Sequence, residues 1–362
     1  MKKESETKVQ FSIASDEQDQ LIERKRAKGK EFAYEQFKYQ WETFPKLHQV
    51  PPFPLNVDIE SCSSCNLRCD HCFRQYMDMG KEGLMDYELY KKIVAECGKN
   101  KLFTLKFSMR GEPTLHPKIV DMVAYAKEQG VKEVWINTHG GNLTEKMARG
   151  FCEAKLDWLT VSFDGLGEMY ESIRKPLKYH ENLERLKMMS RMRTELHPDM
   201  ILNVQSIWTA IQDNPQEYID TMRPWVDRVA YNAEMNFKEI TLVPDDDFVC
   251  PRLWQRLAIC SNGDYLKCPS DFEKEEVMGN ANTMTLKDAW DVLQGKQREM
   301  HARGYKKLSD VCQKCHHGCR KVPKTVEIDG RTSNSYNYVF KKEYTGAGLN
   351  RTKVKILGQN PA

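Results

Sequence analysis

The sequence has no long apolar run, almost no excess charge and no repeated segment. A membrane-spanning helix needs about 18 consecutive apolar residues, and no stretch of this chain approaches that length. The net charge is only +3 over 362 residues, which argues against a protein held to nucleic acid by phosphate contacts. The chain is polar and charged from Met1 onward, unlike a secretory leader. We therefore expect a cytoplasmic protein that binds neither a membrane nor nucleic acid.

Cysteine, by contrast, is plentiful and unevenly placed. Of the twelve cysteines, all except Cys97 and Cys152 lie at 62–72 or at 250–319. A cytosolic chain with many cysteines uses them for metals more often than for disulfides. Cys97 and Cys152 stand alone on predicted helices, and we interpret them as small buried hydrophobic residues.

The first cysteine group forms a C-x3-C-x2-C loop. Cys65, Cys69 and Cys72 follow an alternating apolar segment at 55–60 that is typical of a strand. A cubane iron-sulfur cluster takes four ligands, so a loop that supplies three thiolates leaves one iron open to an exogenous ligand. The spacing therefore predicts a catalytic cluster.

A four-cysteine zinc site is the alternative at this loop. Cys62 and Cys65 form one C-x2-C pair, and Cys69 and Cys72 form a second. Zinc ribbons normally separate two such pairs by about 15 to 20 residues, whereas only three residues separate these two. The spacing favours the cluster, with Cys62 outside the ligand set.

The loop resembles the CxxxCxxC signature of the radical S-adenosylmethionine (radical SAM) superfamily. The resemblance implies a 4Fe-4S cluster whose open iron binds the amino and carboxylate groups of S-adenosylmethionine. It also implies reductive cleavage of that cofactor to a 5′-deoxyadenosyl radical, with an electron donor such as flavodoxin or ferredoxin. The fold that it implies is an open, partial barrel.

The order of the elements agrees with such a barrel. Short β-branched or aromatic runs alternate with helical patterns, which indicates repeated βα units and a parallel sheet. We predict strands at 55–60, 104–108, 133–138, 158–164, 201–208 and 228–231, and helices at 87–97, 117–129, 143–154, 180–196 and 216–225. The predicted fold class is α/β, a partial TIM-like barrel of about six βα units.

Polar signals follow the first four predicted strands. Because the carboxyl ends of parallel strands share one face, these loops should converge on one site. Gly111-Glu112-Pro113 resembles the family's GGEP motif, with Arg110 in place of its first glycine. By resemblance, the residues expected to contact S-adenosylmethionine are His71, Gly111, Glu112, Asn137, Thr138, Ser162, Asp164 and Arg174. For Asn137, Ser162 and Asp164, hydrogen bonding within turns and strand ends is an equally good interpretation.

The second cysteine group resembles the start of a SPASM auxiliary-cluster domain in its shortened twitch form. Cys250, Cys268, Cys312 and Cys315 would hold one further 4Fe-4S cluster, with a hairpin turn at Gly263. The spacings are close to those in the twitch domain of butirosin-pathway dehydrogenases that act on 2-deoxy-scyllo-inosamine. Structural zinc is the competing interpretation, because Cys319, His316 and His317 add ligand types that zinc accepts. Cys260 and Cys319 stay unassigned.

These patterns divide the chain into four predicted parts. They are an N-terminal helical extension at 1–50, a radical SAM barrel at 51–240, a SPASM/twitch domain at 241–325 and a C-terminal tail at 326–362.

Three functions remain open at this stage. The first is an oxidoreductase that removes hydrogen from a hydroxyl-bearing small molecule, such as a polyol, an amino sugar or a nucleotide sugar, with the auxiliary cluster as electron acceptor. The second is a SPASM-type peptide or protein maturase. The third is a non-catalytic metal-binding protein. The sequence does not identify the catalytic base.

Overall fold

A single large sheet organises the chain. The computed structural model describes residues 10–12, 16–233, 237, 243–245, 247–304, 309–328 and 331–338. Ten strands of this described part form the sheet, in the order β1-β7-β6-β5-β4-β3-β2-β8-β9-β10. Their bounds are β1 (Gln10–Ser12), β2 (Asn56–Ile59), β3 (Thr104–Phe107), β4 (Glu133–Thr138), β5 (Trp158–Ser162), β6 (Ile201–Ile207), β7 (Arg228–Asn232), β8 (Arg256–Ile259), β9 (Asp264–Leu266) and β10 (Val277–Asn280).

The strands β2 to β7 form the barrel. Each pairs in parallel with the next one along the chain, and helices make the crossovers. The sheet does not close, because β1 and β10 occupy its two edges. The prediction of an open α/β barrel of about six βα units is therefore confirmed.

Helices between the parallel strands cover one face of the sheet, and further helices precede and follow them. Their bounds are α1 (Asp16–Ala27), α2 (Glu31–Leu47), α3 (Tyr87–Lys99), α4 (Ile119–Glu128), α5 (Glu145–Glu153), α6 (Gly167–Ile173), α7 (Tyr179–Leu196), α8 (Pro215–Met222), α9 (Leu286–Asp288), α10 (Gln294–Ala302) and α11 (Asp310–Gln313). Five of them begin where the sequence supplies a capping oxygen, since side chains accept backbone N–H groups in the first turns of α3, α5, α8, α9 and α11, namely those of Asp86, Thr144, Asn214, Thr285 and Ser309. No described helix combines the length and apolarity needed to cross a membrane.

The two faces of the parallel strands differ in polarity. Side chains alternate between the faces of a strand, and the apolar set, which includes Val57, Leu105, Val134, Leu159 and Leu202, packs with the helices in one buried core. The opposite side, which we call the inner face, has a polar part and an apolar part. Trp135, Trp158 and Ile201 lie on it toward the N-terminal helices. Its polar members are Asp58, Lys106, Asn137, Thr160, Asn203 and Arg228.

The sheet continues into the cysteine-rich region. Strand β8 pairs in parallel with β2, so that Ile259 lies opposite Ile59. Strands β9 and β10 then add antiparallel neighbours. Gly263 has a φ of +89° in the turn between β8 and β9, which confirms the predicted hairpin turn and explains why glycine is needed there. The domain boundary at 240 and 241 stays a prediction.

The N-terminal helices cover the amino-terminal end of the barrel. Ile22 of α1 packs against Trp158 and Ile201, at the start of β5 and β6. The Arg26 guanidinium binds Glu133, the first residue of β4, at 2.9 and 3.1 Å. The extension therefore covers the end of the barrel that lies away from the strand carboxyl ends.

The prediction of a tail from residue 326 onward is wrong for part of that range. Strands β11 (Lys321–Ile328) and β12 (Arg331–Tyr338) pair antiparallel over eight residue pairs. The alternating run at 321–328 and the Asp329-Gly330 dipeptide are hairpin signals in the sequence. Residues 339–362 lie outside the described residues.

Candidate active site

The loops after β2, β3 and β4 are joined by direct hydrogen bonds. The backbone N–H of Glu112 donates to the Ser64 carbonyl at 2.8 Å. The backbone N–H of His139 donates to the Glu112 carboxylate at 2.9 Å, and Nε2 of His139 lies 2.8 Å from Oδ1 of Asn66. The convergence expected for the carboxyl ends of parallel strands is therefore present around the first cysteine loop.

Gly111 supports that loop through close backbone packing. A Cβ atom placed on Gly111 would lie 2.2 Å from the Cys62 carbonyl oxygen and 2.6 Å from that of Ser64. Arg74 fixes the same segment, because its guanidinium donates to the carbonyls of Ser63 at 2.7 Å and Arg110 at 2.8 Å. Only glycine allows the two chain segments to approach this closely.

Glu112 holds the second and third loops together. One carboxylate oxygen accepts bonds from the backbone N–H of Thr114 at 3.0 Å and from the hydroxyls of Thr114 and Thr138 at 2.6 and 2.7 Å. The other oxygen accepts the His139 N–H. Within this structure the carboxylate has an architectural task, and its contact with a cofactor ammonium stays a prediction.

His139 occupies a defined tautomer. Burial lowers its pKa, so the ring is neutral near pH 7. Its Nδ1 accepts the N–H of Gly141 at 2.9 Å, which leaves the proton on Nε2 for the Asn66 side chain. His139 therefore ties the third loop to the cysteine loop.

An ion pair lies beside the cysteine thiols. Arg174 binds the Asp164 carboxylate at 2.5 Å, and its Nη1 lies 3.8 Å from Sγ of Cys69. Nε2 of His71 is 3.4 Å from the same carboxylate, whose other oxygen accepts the backbone N–H of Ile207. The structure thus brings three predicted cofactor residues to one edge of the loop.

The remaining predicted contacts lie on strand ends. Asn137 and Thr138 are the last two residues of β4, and Ser162 is the last residue of β5. Thr138 is buried, whereas Asn137 and Ser162 are half-buried. Their roles toward S-adenosylmethionine stay predictions.

Cys65, Cys69 and Cys72 have the environment of cluster ligands. Burial raises the pKa of all three thiols, that of Cys65 to about 11, although Arg174 acts in the opposite direction on Cys69 and Cys72. A buried thiol of this kind ionises when a metal binds its sulfur. Three thiols on one loop beside a guanidinium fit a 4Fe-4S cluster with one open iron.

Sequence reasoning missed a buried ion pair behind this site. Arg110 binds Glu60 through two hydrogen bonds, at 2.8 and 3.0 Å, and the two side chains are 2% and 0% exposed. The Glu60 carboxylate also accepts the N–H of Ser261, which follows β8. The pair joins β2 and the loop after β3 to the cysteine-rich region. The only sequence signal for a role of Arg110 was its position just after the predicted strand.

The second cysteine group lines one cavity. The cavity has a volume of about 420 Å³, which includes space open to solvent, and is lined by the side chains of Cys250, Cys268, Cys312 and Cys315. Cys260 and Cys319 do not line it. Cys260 is buried near Glu60 and Arg110, and the Cys319 thiol donates to the His316 carbonyl at 2.9 Å. The structure therefore brings together the four predicted auxiliary ligands.

The spacing of these thiols bears on the zinc alternative. A tetrahedral zinc ion holds sulfurs at about 2.3 Å, which puts them about 4 Å from one another. Within the described part of the chain, no three His, Cys, Asp or Glu side chains meet closely enough to hold a single ion. Four thiols that line one cavity fit a 4Fe-4S cluster, whose thiolates bind separate corners.

The inner face contains a hydrogen-bonded polar chain below the strand ends. The Trp158 indole and the Asn203 amide both donate to the Thr160 hydroxyl, at 2.9 and 3.2 Å, and Arg228 donates to Asn203 at 3.4 Å. Lys106 lies in register with Asp58, whose carboxylate is bound by Arg256 at 3.1 Å. Burial lowers the pKa of Lys106 to about 8, although Asp58 opposes this shift.

Comparison with known families agrees with both cysteine sites. Residues 59–224 match the family model of the radical SAM superfamily, which defines proteins that pair a cluster with S-adenosylmethionine. Residues 250–316 match the iron-sulfur cluster-binding domain SPASM. The chain therefore contains a radical SAM domain and a SPASM domain, and these two domains imply 4Fe-4S clusters and S-adenosylmethionine as its cofactors.

One curated relative matches part of this chain. The tungsten-containing aldehyde ferredoxin oxidoreductase cofactor-modifying protein of Pyrococcus furiosus is 36% identical over 140 residues. The match covers 34% of this chain and 39% of that protein. The chain thus spans well under half of that relative, whose activity does not transfer with the match.

Two solved structures share the fold. BtrN in complex with AdoMet and 2-DOIA superposes with a TM-score of 0.54 at 19% identity, covering 74% of this chain and 94% of BtrN. Streptococcus suis SuiB bound to S-adenosylmethionine gives 0.53 at 17% identity, covering 80% and 78%. At these identities the likeness concerns the fold alone.

Proposed function

We propose that the protein is a radical SAM oxidoreductase that oxidises a hydroxyl-bearing small molecule and passes one electron to the auxiliary cluster. The observation that supports this best is the four-thiol cavity, built on strands that extend the same sheet as the three-cysteine loop. Four thiolates occupy every iron of a cubane, which suits a cluster that transfers electrons without binding substrate.

The protein's own residues would divide the work between the two sites. Cys65, Cys69 and Cys72 would hold the first cluster, and Cys250, Cys268, Cys312 and Cys315 the second. When bound, the first cluster and S-adenosylmethionine supply the 5′-deoxyadenosyl radical that removes a hydrogen atom from a substrate carbon. The oxidation then still requires the loss of one proton and one electron.

The inner face supports a polar substrate. Lys106 and Asn137 are half-buried polar side chains on this face, near the carboxyl ends of their strands, which suits a polyol or sugar better than an apolar side chain. We assign Lys106 as the proton acceptor. With a pKa of about 8, a substantial share of its amine is neutral at mildly alkaline pH and able to take the hydroxyl proton.

The test is an anaerobic incubation of reconstituted protein with S-adenosylmethionine, dithionite and a substrate panel. The panel contains polyols, amino sugars, nucleotide sugars and short peptides. We expect substrate-dependent 5′-deoxyadenosine with a hydroxyl compound, in equal amount to a carbonyl product. Turnover with peptides alone would instead support a maturase, and no 5′-deoxyadenosine under any condition would support a non-catalytic protein.

Variants separate the roles of the two clusters and the base. Cys268→Ala and Cys312→Ala should retain 5′-deoxyadenosine formation and lose the carbonyl product, whereas full product formation would reject the electron-acceptor role. Lys106→Met should lower product formation by about 10²-fold or more. Lys106→Arg is the matched control for positive charge, and it should not restore the activity because it cannot accept the proton.

A further inference from the structure

Cys312 sits at the start of a short helix whose first turn is fixed by a buried polar network. Ser309 caps α11 and its hydroxyl accepts the backbone N–H of Cys312 at 3.2 Å. The same hydroxyl accepts a bond from the Lys267 ammonium at 2.6 Å and donates to Glu276. Lys267 is 1% exposed on its side chain and also binds Glu276 at 3.1 Å. The side chains of Ser309, Lys267 and Glu276 therefore fix the position of Cys312 and its sulfur.

A histidine side chain meets that sulfur directly. His301, in the last turn of α10, places its Nε2 atom 3.3 Å from Sγ of Cys312. The histidine is 2% exposed and lines the same cavity as the four thiols. A thiolate that binds iron has no proton to donate, so the hydrogen in this contact belongs to Nε2 and the sulfur accepts it.

We propose that His301 is a positioning residue that donates a hydrogen bond to the Cys312 thiolate and raises the reduction potential of the auxiliary cluster. A donor aimed at a cluster sulfur stabilises the reduced state, which carries one more negative charge. Outer partners of this kind tune a metal site without binding the metal. The inference rests on the proposed function, since a higher potential makes this cluster the better electron acceptor.

The experiment is a redox titration of the anaerobically reconstituted full-length protein, followed by electron paramagnetic resonance without substrate. His301→Phe keeps a ring of similar size and removes the donor. We expect its auxiliary cluster to need a lower potential, so that the ratio of reduced to oxidised cluster at a fixed potential falls about tenfold, or 59 mV for one electron. The signal of the first cluster should not move.

Two further variants keep the result interpretable. His301→Gln retains an N–H donor and should recover most of the potential, which a purely structural role would not require. His317→Phe removes another buried histidine of the cavity and should leave the ratio within twofold. If His301→Phe lost the auxiliary iron, His301→Leu would repeat the test with a smaller side chain that also lacks a donor.

Equal potentials in wild type and His301→Phe, or in wild type and His301→Leu where the phenylalanine variant loses iron, would overturn the inference. Strong nitrogen coupling to the reduced auxiliary cluster would also overturn it, because His301 would then bind iron. The titration needs no substrate, so its outcome is separate from that of the proposed function. A shifted potential together with an inactive substrate panel would keep the role of His301 and reject the oxidation.

Discussion

The two cysteine sites differ in how the chain supplies their ligands and in what surrounds them. The first takes three thiols from one loop at 65–72 and is bordered by Arg174, Asp164 and the loops after β3 and β4. The second takes four thiols from positions 250 to 315, and a histidine contacts one of its sulfurs. A 4Fe-4S cluster with three thiolate ligands has one iron that can bind a cofactor, whereas a cluster with four thiolate ligands can only exchange electrons.

The largest expected difference between the sites concerns cofactor cleavage. Cys69→Ala removes a ligand of the open cluster and should reduce dithionite-driven 5′-deoxyadenosine formation by about 10³-fold or more, to the background without enzyme. Cys62→Ala, in the same segment but outside the ligand set, is the matched control and should stay within about threefold of wild type. Loss of cleavage in both variants, measured by chromatography, would contradict the ligand assignment.

Gly111→Ala should damage the first site and spare the second. Its Cβ would meet the Cys62 carbonyl oxygen at 2.2 Å, which forces the cysteine loop away from the loop after β3. We expect loss of the first cluster. The electron paramagnetic resonance spectrum should then no longer respond to S-adenosylmethionine, while the signal of the auxiliary cluster persists. Gly83→Ala is the control, because a Cβ there meets no atom within 4 Å. Equal signals in the two variants would show that the loop tolerates displacement.

Arg110→Met should affect both sites. It leaves the Glu60 carboxylate, which is buried and also binds the Ser261 N–H, without its counter-ion. We expect a loss of about 3 to 5 kcal/mol in unfolding free energy, measured by anaerobic denaturant titration. The double variant Glu60→Gln/Arg110→Met removes the charge as well and should recover much of that loss. A single variant as stable as wild type would mean that the pair does not hold the two regions together.

Lys106→Met should stabilise the fold while it impairs turnover. The pKa of Lys106 falls from 10.5 to about 8, so its charged form opposes folding at pH 7, where Arg252 and Arg256 add to the effect of burial and Asp58 reduces it. The variant should gain about 3 kcal/mol at pH 7, since each unit of the pKa difference corresponds to about 1.4 kcal/mol. As the pH rises from about 8 to 10.5, wild type regains the unfolding free energy that the charged Lys106 costs it. The stability difference between the variant and wild type should therefore shrink over that range. Lys146→Met, at an exposed position, should give no such gain.

The parallel strands were predictable because their patterns are local. The predicted strand at 133–138 matches β4, and the others differ from the observed strands by two residues or fewer at each end. β-branched residues alternate along each of these strands, and segments of helical period separate the strands, so each strand can be recognised from its own residues. Helix α6 was missed, since its seven residues are too few for a helical period to stand out.

Long-range pairings explain what the sequence could not show. Strand β8 pairs with β2, which lies 200 residues earlier, and local periodicity contains no register between distant strands. The cysteine ligands were visible because spacing marks them. The contacts of Arg110 with Glu60 and of His301 with Cys312 depend on packing between separate elements, and neither residue type is unusual by itself.

Metal and sulfide analysis of the anaerobically reconstituted protein tests the central claim most directly, namely that the two cysteine sites hold two different cubane clusters. Wild type should contain about eight iron and eight sulfide per chain and negligible zinc. The Cys65→Ala/Cys69→Ala/Cys72→Ala variant and the Cys268→Ala/Cys312→Ala variant should each contain about four of both, with distinct Mössbauer and resonance signals. About four iron together with one zinc per wild-type chain, the zinc disappearing in the second variant, would contradict the account.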